Sequence, residues 1–426
     1  MASATEKSYI NKFLVTSADG ERQVDISQGL VGDFYFYEDI FSPVMTAKTM
    51  MMDTGRGNID SDTYNVPFMS GLPLKTGENV DIIIENQRKQ TLNISLKLFD
   101  ASQIFQQDDK NLIFLNFIDG DHFKSESTRV YRKLPAQNTT ENIRSILVDD
   151  LKSDVPFRGS PSSSAFSYQG NSRKPFTVIM DIAPRTSSEE NGRSAGFFFY
   201  RTREGYNFRS IKDLIDQPIS ETYTYGGTAD DVYEPKTPFG RQDPQKRILK
   251  YRQIQTDNLN SKAMFGGFGG KRFNFKPASD GLDPDANSTF DYEDFDATSF
   301  FGTDAYEPPA DATDLKFTRQ YISIQDMQGL TDRLNVNFDH SIFDVQGPIT
   351  YNSIFSQILN ITVPQNLDLH AGNTIVINIA KSGCQFEYDE KLSGKYLIKE
   401  ICHHVTNSRS YSHLLIVRDT LGSRQS

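Results

Sequence analysis

Apolar and polar residues alternate in short runs along much of this chain. Tyr9 to Val15 and Phe34 to Ile40 read as strands, and between Thr91 and Phe99 the residues Leu92, Ile94, Leu96 and Leu98 take every second position. A period of two turns one face of a strand to a core and the other to water. Turn signals at Asp19-Gly20 and from Gly29 to Gly32 separate the first runs. Phe41 to Ala47 also reads as extended, with Pro43 restricting it to an edge or a bulge because proline has no N–H for a ladder. A mainly β chain follows.

One pattern occurs twice. Leu74 to Ile84 places Gly77 three residues after a leucine and then Val80, Ile82 and Ile84 at alternate positions. Leu369 to Ile379 does the same with Gly372, Ile375, Ile377 and Ile379. The physical content is a tight turn, for which glycine supplies a positive φ, feeding a strand with one buried β-branched face. Further strands follow each copy, the second as the hairpin Gly394 to Val405 and Tyr411 to Val417 around Thr406 to Ser410. The echo predicts two related antiparallel β-barrels, one near each end of the chain.

Between them the period changes. Thr139 to Leu151 carries Ile143, Ile146, Leu147 and Leu151 at helical spacing behind a capping residue. Gly159 to Arg173 reads as a loop and Pro175 to Ile182 as a short apolar element. Gly196 to Ile211 reads as strand, turn at Glu204-Gly205 and strand, with a short helix from Ser210 to Ile215. From there to about Leu330 the signals are weak, and a loop-rich insertion is expected. The predicted divisions are a first barrel over 1–108, an inserted α/β domain over 109–195, the start of the second barrel over 196–222, the insertion over 223–329, and the rest of the second barrel with a tail over 330–426.

Charge changes the picture only in the insertion. The formal net charge is −11 over 426 residues, which argues against a nucleic-acid binder. Asp280 to Asp314 alone holds 11 acids and no Lys or Arg, while Arg241 to Lys276 is basic. Those neighbouring stretches could pair with each other or with other subunits, or simply be solvated faces. Met1 to Asn11 lacks a signal-peptide core and no apolar run reaches bilayer length, so no membrane anchor is expected. The two cysteines, Cys384 and Cys402, read as small buried apolar residues.

Candidate chemistry is sparse. Gly266 to Lys271 lacks P-loop spacing and reads as a glycine loop. His403 and His404 leave opposite faces of a strand, with His413 on the return strand, and no Cys, Asp or Glu cluster completes a metal site. Asp283 to Asn287 opens like a calcium loop but lacks the later glycine and glutamate. Glu189-Glu190 and Asp149-Asp150 have no partner pattern, and no nucleophile elbow occurs. Neither an enzyme nor a cofactor is expected.

With those residues in view, the chain resembles the central baseplate hub proteins of T-even-like contractile-tailed bacteriophages. Glu38 to Ala47, then Met52-Asp53-Thr54 and Leu72 to Ile84, look like the first hub barrel. Lys174 to Ile179 followed by Phe197 to Ile211 is similar to the segment that leaves the insert and enters the second barrel. Leu392 to Ile398 and Ser412 to Asp419 look like that barrel's closing hairpin. The likeness runs from about Tyr9 to Leu421, with a gap over roughly Tyr223 to Leu315. On it, the structural barrel positions are Phe41, Pro43, Asp53, Gly77, Val80, Ile82, Ile84, Gly205, Gly372, Ile375, Ile377, Ile379, Gly394, Tyr396 and Asp419. The resemblance implies a homotrimer that joins a central spike protein to tail-tube and tube-initiator proteins inside the baseplate wedges of a virion. The alternatives are another ring or tube component of a contractile injection machine, such as the hub part of a secretion-system spike, and a tail-associated carbohydrate-binding or hydrolytic β-protein. No spike repeat follows Leu421, and the chain has no Trp for a sugar platform.

Overall fold

A computed structural model of the protein describes residues 7–53 except 28 and 31, 68–226 except 73, 108–109, 163–164 and 190–194, 243–255, 260, 264, 269–276, 281–282, 288–291, 319–324, and 341–419 except 382–383. It is mainly β with a few short helices.

Seven strands come first: β1 (Ser8–Thr16), β2 (Gln23–Asp25), β3 (Phe34–Asp39), β4 (Thr46–Asp53), β5 (Asn79–Asn86), β6 (Thr91–Gln107) and β7 (Lys110–Ile118), with α1 (Phe68–Gly71) before β5. Their antiparallel ladders run β2-β1-β5-β6-β7-β4-β3. Just past β2 the chain reaches β4 through the bridge Leu30 to Met51, which closes a six-strand ring. Alternation fills it: Phe13, Phe36, Val80, Ile82, Ile84, Leu96 and Phe117 are all buried in one core. Lys110–Ile118, expected inside the insert, is a strand of this ring, because Ile113, Leu115 and Phe117 belong to its core.

The insert holds α2 (Gly120–Ser127), β8 (Lys133–Asn138), α3 (Thr139–Ser145), β9 (Phe157–Gly159), β10 (Ala165–Gln169), α4 (Pro175–Ile182), β11 (Phe197–Thr202) and β12 (Gly205–Ser210). The Asn138 side chain caps α3 by accepting from Thr140 N at 2.9 Å, and a π-turn over Ile146–Asp150 carries the helical face on to Leu151. Two expectations change here. The loop predicted over Gly159 to Arg173 contains β10, paired to β8. The β11–β12 hairpin, expected to open the second barrel, forms a separate sheet with β9, and Phe197, Phe199, Tyr206 and Phe208 pack with the insert's helices.

After α5 (Ile211–Asp216) come β13 (Ile219–Tyr225) and β14 (Lys250–Gln255). The described part of the insertion then gives a sheet of β15 (Gly269–Lys276), β16 (Gly281–Leu282), β17 (Ser288–Asp291) and β18 (Arg319–Ile324). Gly269 to Lys271 are therefore strand where a flexible loop was expected, held by pairing to both β17 and β18. Most of Asp280 to Asp314, with Asp283 to Asn287, lies outside the described residues.

The chain ends with α6 (Ser341–Ile354), β19 (Gln357–Pro364), β20 (Thr374–Lys381), β21 (Cys384–Tyr388), β22 (Gly394–Val405) and β23 (Ser410–Arg418). Here the ring is β14-β13-β20-β22-β23-β19, with β14 laddered to β19 and tied to β13 by the bridge Thr224 to Arg247. The two rings have one connectivity. Numbered within itself, each runs second, first, fourth, fifth, sixth, third. One strand is inverted, since β1 is antiparallel to β5 whereas β13 is parallel to β20. The far half of β22 ladders onto β3, so both rings share one continuous sheet.

Candidate assembly site

The repeated turns give the strongest geometry. Gly77 and Gly372 both have positive φ, +107° and +86°. Gly77 N donates to Leu98 O at 2.7 Å and Leu98 N to Glu78 O at 2.9 Å. In the second ring Gly372 N donates to Ile398 O at 2.9 Å and Ile398 N to Asn373 O at 2.8 Å. Glu78 Oε1 accepts from Lys75 N at 2.7 Å, and Asn373 Oδ1 accepts from His370 N at 2.9 Å. Each long strand then bulges at the same step, between Leu98 and Asp100 and between Ile398 and Glu400. A bulge bends a strand and sharpens its twist, which is what a small ring needs at a corner. The alternating residues after each turn, Val80, Ile82 and Ile84 or Ile375, Ile377 and Ile379, are at most 1% exposed.

The remaining sequence-selected residues serve the connections. Pro43 and Phe41 lie in a turn between β3 and β4 rather than in a strand: Asp39 Oδ1 accepts from Phe41 N at 2.8 Å and turns the chain before it can extend. Phe41 is 46% exposed and makes an edge contact with Phe198 of the insert at 5.1 Å. Buried Asp53 ends β4 and accepts from Phe68 N at 2.7 Å, fixing the start of α1. Gly205 has φ +148°, and a Cβ there would meet Pro156 O at 2.3 Å. Beside Gly394, Arg418 stacks on Tyr396 at 4.6 Å, while Tyr396 Oη donates to Leu392 O at 2.9 Å; Asp419 follows, buried.

Sequence reasoning missed the polar junction where the rings meet the insert. Glu38 of β3 is 1% exposed and accepts from Arg203 N at 2.8 Å and Ala371 N at 3.1 Å, tying the first ring to the β11–β12 turn and to the second ring's glycine turn. Burial raises its pKa against the pull of His370 and those N–H groups. A second tie is the pair Arg201 Nε to Asp119 Oδ2 at 2.9 Å, both buried, with Arg201 N donating to Ser42 O and Asp119 N to Met45 O. Burial raises the Asp119 pKa, and Arg201 opposes it. Nothing in the sequence separates these acids from the surface acids beside them, because what marks them is long-range burial.

Cys402 is buried, and desolvation pushes its thiol up to about 12, so it is an inert apolar residue. His403 faces the interior, where its ring nitrogens meet Leu369 O at 3.2 Å and Ser412 Oγ at 3.3 Å. No cluster of three His, Cys, Asp or Glu able to hold a metal occurs among the described residues, and no helix among them is long and apolar enough to cross a membrane. What this geometry offers is rigid linkage between two like rings.

No family model matches the sequence, and no curated protein matches it. Solved structures do. A tail protein from Neisseria meningitidis superposes with a TM-score of 0.55 at 8% identity, covering 98% of each chain. The 43 kDa tail protein of prophage MuSo2 from Shewanella oneidensis gives 0.55 at 9% identity, covering 97% of this chain and 99% of that one. A component of the E. coli type VI secretion system, described as similar to the T4 tail proteins gp27 and gp5, follows at 0.46 and 9% identity over 98% of this chain and 80% of its own, too distant for any detail to be carried over. The fold is thus one found in phage tail proteins. This chain has that fold over nearly its whole length.

Proposed function

We propose that the protein is the central hub of a contractile phage-tail baseplate, a homotrimer whose two rings per subunit alternate around one axis. Three copies then present six similar rings, which lets a threefold central spike meet a sixfold tail tube. The observation that carries this reading is the shared ring connectivity with the same turn, the same backbone bonds and the same bulge in both halves. On this reading its partners are the spike, the tail-tube and tube-initiator proteins and the baseplate wedge proteins, its place is the virion, and its role is structural rather than enzymatic. Closed oligomers need self-matching surfaces repeated by symmetry, and a duplicated subunit supplies them twice per copy. Light scattering and negative-stain imaging, alone and with the spike partner, test it: a trimer with a six-lobed annulus is expected, and a strict monomer in both cases would remove the proposal.

A further inference from the structure

The outer face of the second ring carries a polar row that the hub reading does not use. Lys250 lies opposite Thr362 and Arg252 opposite Asn360 across β14 and β19. Thr362 lies opposite His413 of β23, and Tyr411 of the same strand lies opposite His404 of β22. These seven side chains line an open groove of about 430 Å³. The alternate residues Leu359, Ile361, Ile401, Leu414 and Ile416 fill the core, so the row faces away from it.

The floor of the groove is already bonded. His404 Nε2 is 2.8 Å from Asp33 Oδ2, His404 Nδ1 is 3.2 Å from His413 Nε2, and His413 Nδ1 is 3.0 Å from Thr362 Oγ1. An ionised carboxylate only accepts, so when both imidazoles are neutral each bond points one way: Thr362 to His413, His413 to His404, His404 to Asp33. Tyr35 stacks on His404 at 4.3 Å. The imidazoles are therefore held in place.

Lys250 and Arg252 differ from that floor. Both are exposed, and neither has an acidic partner among the described residues. They occupy alternate positions of one strand, roughly 7 Å apart, so each raises the other's cost of staying unpaired. An extended peptide repeats its own alternate side chains at the same pitch.

We propose that this groove docks an extended acidic peptide of a partner lying over the sheet face, with carboxylates two residues apart on Lys250 and Arg252 and with Asn360, Thr362 and Tyr411 as flanking polar contacts. A nucleic acid fits less well, because the whole chain is acidic and the cationic patch is two residues long.

The probe is the blocked hexapeptide Asp-Tyr-Glu-Asp-Phe-Asp, whose order occurs at positions 291–296 of this chain and whose acids stand two apart twice. It is titrated into the full-length protein by calorimetry beside its Asn/Gln counterpart. The acidic peptide is expected to bind and the amide peptide to fail. Lys250→Glu with Arg252→Glu should weaken binding by about tenfold or more through like-charge repulsion, with wild-type melting because both side chains are exposed. Absent binding, equal binding of the amide peptide, or indifference to the double substitution would overturn the proposal. So would displacement of the peptide by inorganic phosphate or a single-stranded oligonucleotide at matched concentration, which would mark a general anion patch. None of these outcomes bears on the trimer.

Discussion

Gly372 lies directly against the hydroxyl of Tyr200: a Cβ on Gly372 would stand 2.3 Å from Tyr200 Oη. Tyr200 belongs to the insert and Gly372 to the second ring, so the absence of a side chain lets those layers approach. Gly77, the counterpart in the first ring, has positive φ but open space around it. Gly77→Ala should therefore cost backbone strain alone, about 1–2 kcal/mol. Gly372→Ala should cost more, since overlap is added to strain. Tyr200→Phe removes the nearest clashing atom, so in urea denaturation the Gly372→Ala, Tyr200→Phe pair should be less destabilised than the sum of its singles. Strict additivity would mean that the contact does not limit packing there.

The same comparison shows what the sequence carries. Leu74 to Ile84 and Leu369 to Ile379 announce matching turns and strands because glycine position and period two are local properties. Ring order is not local: β1 and β13 hold equivalent places with opposite directions, and no period encodes direction. α6 carries Gly347-Pro348 in its interior, a pair whose local preference is against a helix, yet the helix continues through it. A Cβ on Gly347 would meet Pro184 O at 2.4 Å, so that glycine admits close contact with the insert. Glu38 and Asp119 were illegible for another reason. Each is an acid in an otherwise ordinary strand end, made structural by residues far along the chain.

Asp119 and Arg201 form a tie whose value lies in being complete. Both side chains are largely out of water, at 6% and 11% exposure, so removing one leaves a charge without its counterion. Either Asp119→Ala or Arg201→Met should lose about 3–5 kcal/mol. Asp119→Ala combined with Arg201→Met should recover a large part of that loss. A thermodynamic cycle on folding free energies measures the coupling, and a coupling near zero would mean that the pair is a bystander.

His403 makes stability depend on pH. Burial, with the nearby Arg203 charge adding to it, pushes its pKa down to about 3 from 6.5. Above 6.5 neither folded nor unfolded chain is protonated at this ring. Between about 6.5 and 3 the unfolded chain takes a proton that the folded chain refuses, so stability falls as pH falls, by up to about 1.4 kcal/mol per pH unit from this group. His403→Asn keeps polar atoms near Leu369 O and Ser412 Oγ but removes the titration. Its stability should decline less steeply than that of wild type between pH 6 and pH 4 in guanidinium titrations. Parallel slopes would assign the acid sensitivity elsewhere.

The two rings should unfold together even though each has its own core. Val405 and Leu367, from the second half of the chain, are buried in the first ring's core, and Ile40, from the first half, is buried in the second's. The β22–β3 ladder joins the same halves through backbone bonds, from Glu400 paired with Asp39 to Val405 paired with Phe34. Ile82→Asp in the first ring and Ile377→Asp in the second each place a carboxylate where the native side chain is at most 1% exposed, a change that costs several kcal/mol as a charge without a partner. Damage to one ring then removes side chains and ladder partners from the other. Calorimetry of either variant should show a single transition moved to lower temperature, with hydrogen-exchange protection lost in both rings. A variant in which one ring keeps a wild-type transition would mean that the shared sheet couples them weakly, and wild-type melting of either whole protein would mean that the substituted face is not core.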